Sequence, residues 1–139
     1  MVDVAPNHMG SGTAATVKYQ QFVPWNSSHY FHPPQFNIRY EPPNQTEIEQ
    51  FWLGTENGVS LPDLNTEIPE VYNTLYEWIQ ELVQKYGIDG LRLDTVKHIR
   101  KSFWPKFCKY AGVFAMGEVL HGGFESVSCN HVYKRLIDE

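Results

Sequence analysis

Cysteine is scarce in this chain. Cys108 and Cys129 are the only two in 139 residues; they have no metal-type spacing and could make at most one bridge, so thiolate metal clusters and disulfide scaffolds are excluded. Basic charge is also short, with 11 Lys and Arg against 16 Asp and Glu and a net charge of −5. No basic run exceeds the Arg100-Lys101 pair, so there is no face to track a phosphate backbone, and nucleic acid is not an expected partner. No apolar stretch approaches the roughly 20 residues that cross a bilayer, so no transmembrane segment is expected. No leader precedes Val2-Asp3-Val4; Met1 stands almost against what reads as a strand, and the chain looks cut at its front. Internal repeats and low-complexity tracts are absent.

What is present is a core-forming composition, 42% hydrophobic, with eight Phe, eight Tyr and four Trp. Such rings serve packing or stacking on flat sugar faces equally well. Two sequons, Asn26-Ser27-Ser28 and Asn44-Gln45-Thr46, lie in polar, Pro-rich surroundings. They fit loops of a secreted glycoprotein.

Along the chain, Met1 to Ala5 is a short apolar run interrupted by Asp3 and stopped by Pro6-Asn7, as in a buried parallel strand. From His8 to Thr66 no period persists and prolines punctuate the chain, an excursion far beyond a normal connection. Within it, Thr46 to Trp52 suits a short helix with Thr46 as cap and Glu49 as capping-box partner. After Pro69, the residues Val71, Leu75, Trp78, Ile79, Leu82, Val83 and Tyr86 form the stripe of an amphipathic helix that Gly87 ends. In the strand Ile88 to Asp94, Leu91 and Leu93 share one face, Arg92 and Asp94 the other. A helix around Lys97 to Tyr110, interrupted by Pro105, leads to a last strand, Val113 to Glu118. Strands alternating with helices predict an α/β fold on a parallel sheet, either doubly wound or a barrel. At 139 residues the chain is about half of a β/α barrel, which needs about 250.

In such a sheet, functional groups collect at the carboxyl edge, and three polar clusters fall there: Asn7-His8, Arg92 with Asp94, and Glu118. A guanidinium at 92 can reach the carboxylate at 94 and favour its ionised form. An ionised Asp beside a Glu kept partly protonated is the division of labour of retaining glycosidases, whose carboxyl groups stand about 5–5.5 Å apart. Taken singly, a strand-end acid such as Asp94 or Glu118 is more often a helix cap or loop acceptor than a catalyst, while His8 could be a core imidazole and Lys97 with His98 a solvated helix start.

Four segments, Val2-Asp3-Val4-Ala5-Pro6-Asn7-His8, Leu61-Pro62-Asp63-Leu64, Gly90-Leu91-Arg92-Leu93-Asp94-Thr95-Val96-Lys97-His98 and Gly117-Glu118-Val119, resemble in order and spacing the signatures of the α-amylase family of glycoside hydrolases. Tyr30-Phe31-His32-Pro33, Trp52-Leu53-Gly54 and Phe103-Trp104-Pro105 are similar to its fungal secreted members. The resemblance implies a partial (β/α)8 TIM barrel: strand 3 at residues 1–8, an irregular inserted calcium-binding domain at 9–65, then helix 3, strand 4, helix 4, strand 5 and a following loop at 66–139. It implies hydrolysis of α-1,4-glucans such as starch or glycogen with retention, Asp94 as nucleophile, Glu118 as general acid and base, and Arg92 orienting the nucleophile. His8, Lys97 and His98 would touch the sugar. A structural Ca2+ would take side-chain oxygens of Asn7 and Asp63 and backbone carbonyls of Glu49 and His98. The full-length protein is expected to be secreted and monomeric. A glucanotransferase, or a non-catalytic glucan-binding or transporter-associated relative, is the alternative.

The chain also departs from the pattern. It has no His-Asp dipeptide, where the family carries a third carboxylate, and the first two and last three barrel strands have no counterpart. The isolated chain is therefore expected to be inactive. Gln35 and Phe51 stand near a family disulfide, and Pro42-Pro43 marks a short insertion. His121 replaces an acid beyond the last strand. Cys129 lies near a half-cystine, and Cys108 is expected to be a buried apolar residue.

Overall fold

The computed structural model describes residues 1–119. His121 and Cys129 lie outside the described residues. Three parallel strands, β1 (Val2–Val4), β4 (Gly90–Leu93) and β5 (Phe114–Gly117), form one sheet in the order β1-β4-β5. Their register aligns Asp3 with Arg92 and Arg92 with Met116, one step before Val4, Leu93 and Gly117. Because side chains alternate across a strand, Leu91 and Leu93 enter the core on one face while Asp3, Arg92 and Met116 share the other.

The core lies between this sheet and two helices, α2 (Pro69–Tyr86) and α3 (Trp104–Ala111). Pro69 occupies the first turn of α2, where no N–H is needed, and Gly87 closes it in the left-handed region with φ 59°. Its buried side chains are Val71, Leu75, Tyr76, Ile79 and Val83. The expected stripe is thus displaced: Tyr76 is in, while Trp78 and Tyr86 are exposed. At about 100° per residue, Trp78 lies at the edge of the stripe away from Tyr76. The stripe turns toward Tyr76 because α3 packs there: the Tyr76 ring meets Phe103 at 5.2 Å and Tyr110 at 5.5 Å, and its hydroxyl donates to the Phe103 carbonyl.

The expected helix over 97–110 is broken up. After Thr95 (φ 51°) the chain makes a 3-10 turn at Val96–His98, and the extended backbone of Ile99 and Arg100 (ψ 143° and 141°) ends it before an α-helix can form. A second 3-10 turn at Lys101–Phe103 then enters α3, where Pro105 lies in the first turn and starts the helix. Cys108 is half-buried against the core, and burial raises its thiol to about 11.

Between β1 and α2 runs the long excursion. It holds three single 3-10 turns, the helix α1 (Gln45–Gln50) and the antiparallel pair β2 (Leu53–Gly54) and β3 (Ser60–Leu61). Asn44, not Thr46, caps α1: its Oδ1 accepts the Glu47 N–H and its Nδ2 donates to the Glu47 carboxylate. The same cap-x-x-Glu spacing occurs two residues earlier than expected, and Arg39 fixes Glu47 in place by ion pairing. Where Gln35 and Phe51 suggested a missing disulfide, the Trp52 N–H donates to the Gln35 carbonyl. Among the described residues, no helix is long and apolar enough to cross a membrane.

Truncating Ile79 to Ala should cost about 2–5 kcal/mol, more than truncating Trp78, which is 38% exposed. Denaturant unfolding of the two variants in the full-length protein checks this, and equal losses would contradict the displaced stripe.

Candidate active site

The parallel register brings acidic groups from three strands to one guanidinium. Asp94 directly follows β4 and Glu118 directly follows β5, and backbone bonds hold both: Asp94 N–H donates to the Val4 carbonyl at 2.9 Å, and Glu118 N–H to that of Leu93 at 2.7 Å. From the middle of β4, Arg92 Nη1 donates to Asp94 Oδ1 at 3.0 Å, and its Nη2 lies 2.9 Å from Glu118 Oε1. With guanidinium nitrogens about 2.3 Å apart, the two acid oxygens can be no more than about 8 Å from each other. Sequence reasoning paired Arg92 with Asp94 only.

A third acid was missed. Asp3 accepts from Arg92 Nη1 at 2.9 and 2.7 Å across the β1–β4 ladder. In the sequence Asp3 is an interruption of an apolar strand, which was the available signal. Its hydrogen bonds are the main reason the Arg92 proton is held more tightly than usual. His8 faces the same edge, with Nε2 3.8 Å from Asp94 Oδ2. Burial lowers the His8 pKa, opposed by the nearby Asp94 charge.

The turn after Asp94 carries Lys97 and His98. Lys97 Nζ stands 4.4 Å from the centre of the Tyr40 ring, and burial lowers its pKa. The His98 ring is 5% exposed, and its Nδ1 donates to the Ile48 carbonyl at 2.8 Å. Burial lowers it to about 4. On its backbone side, the His98 carbonyl accepts from Asn7 Nδ2 at 3.0 Å.

Asn7 is the meeting point of a second cluster. Its Nδ2 also donates to Asp63 Oδ1 at 2.6 Å, while its own Oδ1 is buried without a partner. Asp63 reaches this place because residues 62–64 are stitched on both sides: Met9 N–H to Pro62 O and Leu64 N–H to Asn7 O on one, His32 N–H to Asp63 O on the other. Burial pushes the Asp63 carboxyl up to about 6 although His32 and Asn7 bind it. Glu49 sits in the last turn of α1, one residue past the Ile48 carbonyl that His98 holds; its side chain accepts from Gln45. Among the described residues, no three His, Cys, Asp or Glu side chains are grouped as metal ligands. The cluster instead combines one carboxylate with amide and carbonyl groups.

His32 and Glu67 were also missed. His32 Nδ1 donates to Asp63 Oδ2 at 2.6 Å and its Nε2 lies 2.8 Å from Glu67 Oε2. Burial works against the charged ring, but the two carboxylates outweigh it and raise His32 to about 9.

These shifts have opposite consequences. An unfolded His98 takes a proton below about 6.5 that the folded ring refuses until about 4, so its contribution to stability falls as pH drops through that window. The His32 contribution is complete below about 6.5 and is lost as pH rises through about 9. NMR titration of the full-length protein should find His98 neutral at pH 5.5 and His32 protonated at pH 8; the reverse order would contradict these surroundings.

Comparison with known proteins places this geometry. Residues 1–120 match the alpha-amylase catalytic domain. The alpha-amylase mde5 of Schizosaccharomyces pombe is 44% identical over 118 residues, 85% of this chain and 22% of that protein. An alpha-amylase structure from Malbranchea cinnamomea is similar with a TM-score of 0.86 and 48% identity, over 99% of this chain and 28% of the other. The alpha-amylase of Geobacillus thermoleovorans, solved in complex with acarbose, gives a TM-score of 0.69 and 33% identity over 86% of this chain and 25% of that one. The chain spans about a quarter of the length of the relatives it matches. With its parallel sheet, its acids at the carboxyl edge and matches covering most of its length, the chain belongs to the α-amylase family of glycoside hydrolases.

Proposed function

We propose that this chain carries the nucleophile and the acid/base group of an enzyme that hydrolyses α-1,4-glucosidic bonds of starch or glycogen with retention of configuration. The observation that carries this is the single guanidinium of Arg92 bound to both Asp94 and Glu118 at neighbouring strand ends. The shared guanidinium brings the two carboxyl groups near enough to flank one glycosidic bond, and retention, which needs about 5–5.5 Å, is taken from the family resemblance. Glu118 protonates the leaving glycosidic oxygen while Asp94 attacks the anomeric carbon. Water, giving its proton to Glu118, then displaces Asp94 from the covalent glycosyl intermediate. Arg92 holds both carboxylates in orientation, and Asp3 holds Arg92. His8, beside Asp94, hydrogen-bonds the sugar at the scissile bond. Lys97 contacts the glucan beyond it, and His98, with Nδ1 committed to Ile48, would do so through Nε2.

On this reading β1, β4 and β5 are strands 3 to 5 of a (β/α)8 barrel, and residues 9–65 are a domain inserted after strand 3. A barrel lining needs further strands over the face of Asp3 and Arg92, where Phe114 and Met116 are exposed. A third carboxylate would come from one of those further strands. Secretion of the full-length monomer agrees with the exposed sequon at Asn26, whereas the amide of Asn44 is engaged in capping α1.

The Asn7 cluster fits Ca2+. A carboxylate oxygen and a backbone carbonyl from distant segments both meet the Asn7 amide, and with that amide turned the three are the hard oxygen donors this cation takes. Asn7 and Asp63 would bind through side chains, His98 and Glu49 through carbonyls, with the amide of Asn7 turned so that its oxygen faces inward. Bound there, Ca2+ supplies a cross-link between the strand ends and the inserted segment.

Asp94→Asn in the full-length protein should lower turnover on maltooligosaccharides by at least about 10⁴-fold without unfolding it; an active variant would refute the nucleophile. The 139-residue chain by itself should release no reducing sugar from soluble starch, and an ordinary amylase rate would contradict the proposal. Chelator should remove about 2–3 kcal/mol of stability from the calcium-loaded full-length protein, as expected for a ligand near 100 times its Kd. Asp63→Ala should abolish that difference; if melting temperatures of wild type and variant fall equally with chelator, Asp63 is not a ligand.

A further inference from the structure

His32 is tied at four points. Its backbone N–H donates to the Asp63 carbonyl at 3.0 Å, and its own carbonyl accepts from Trp52 Nε1 at 2.9 Å. With the main chain fixed, the ring lies between two acids, Nδ1 on Asp63 Oδ2 and Nε2 by Glu67 Oε2. Ring and Asp63 are both buried, at 7% and 2% exposure. One carboxylate oxygen of Asp63 is thereby taken, and the other, Oδ1, is the one that meets Asn7, whose amide also meets the His98 carbonyl.

From this geometry we infer that His32 is the positioning residue of the cation site, locking Asp63 so that it offers a single oxygen, Oδ1, to Ca2+. The inference rests on the calcium reading above and adds to it a residue that touches no cation. A carboxylate free to rotate could turn either or both oxygens inward or away; with Oδ2 held by an N–H donor, one geometry remains. Such outer partners orient metal-binding carboxylates, and losing one typically weakens metal affinity by about 10–100-fold. Glu67 completes the device. It holds the far nitrogen of the ring, and its backbone N–H is bound to Asn65 Oδ1 just before α2 begins. The orientation of a ligand at the strand ends is thus tied to the entry of the long helix, with only five residues of chain between Asp63 and Pro69.

The test is calorimetric titration of Ca2+ into the calcium-stripped full-length protein and its variants. His32→Ala should weaken binding by about 10–100-fold. His32→Asn, whose amide nitrogen replaces Nδ1, should restore affinity to within about threefold, whereas His32→Gln, whose amide replaces Nε2, should remain weak. A merely structural His32 would lower the metal-free melting temperature in all three without separating Asn from Gln. Should the Ala variant not fold, the Asn and Gln pair decides, and equal Ca2+ affinities in the two overturn the inference. If Asp63→Asn abolishes binding while His32→Ala binds as tightly as wild type, His32 does not position the site and the calcium reading stands. If wild type itself takes up no Ca2+, or Asp63→Asn binds like wild type, the calcium reading fails.

Discussion

One charge on β4 organises the carboxyl edge of this sheet. Arg92 is bound by Asp3 from β1, by Asp94 just beyond its own strand and by Glu118 just beyond β5. That arrangement exists only because the strands are parallel and in one register, with Asp3, Arg92 and Met116 side by side. Sliding either neighbour by one residue would turn its side chains to the opposite face and break the cluster. The residue type matters equally. A guanidinium is permanently charged, and its rigid fork can hold two carboxylates on separate nitrogens, which a lysine ammonium cannot do with fixed geometry.

The second organising element is the turn that follows Asp94. Its Val96 N–H donates to the Glu118 carbonyl at 3.3 Å and its Val96 carbonyl accepts from Trp104 Nε1 at 3.1 Å, so β4, β5 and α3 meet on it. The same turn presents the His98 ring to α1 and the His98 carbonyl to Asn7. Order in the long excursion is therefore coupled to the position of the acids through four consecutive residues. Thr95, with its left-handed backbone, is the hinge that lets the chain make this turn directly after a strand. A local strain of this kind is tolerated where surrounding bonds fix both ends.

Much of this was legible because it is local. The alternation of Leu91 and Leu93 with Arg92 and Asp94 announced a strand with one polar face, and Pro69 and Gly87 bracketed α2. Local signals also misplaced what two similar choices left open. Asn44-x-x-Glu47 and Thr46-x-x-Glu49 are both capping patterns, and Arg39, several residues away, decides between them. Tyr76 replaced Trp78 in the core because of where α3 lies, which periodicity within α2 does not contain. Asp3 and His32 were missed for the same reason: the partner of Asp3 is 89 residues distant and that of His32 is 31. The roles first attached to Asp94, Glu118 and Asn7 came from family resemblance, and the geometry supplies contacts compatible with them.

The central claim is that Asp94 and Glu118 act as a retaining pair, and its most direct test is to trap the covalent intermediate. The full-length protein is quenched during turnover of an activated fluorinated maltosyl substrate, digested, and its peptides weighed. A glycosyl adduct on the Asp94 side chain is the predicted result. An adduct on Glu118 or another residue, or turnover with no adduct and products of inverted anomeric configuration, would contradict the account.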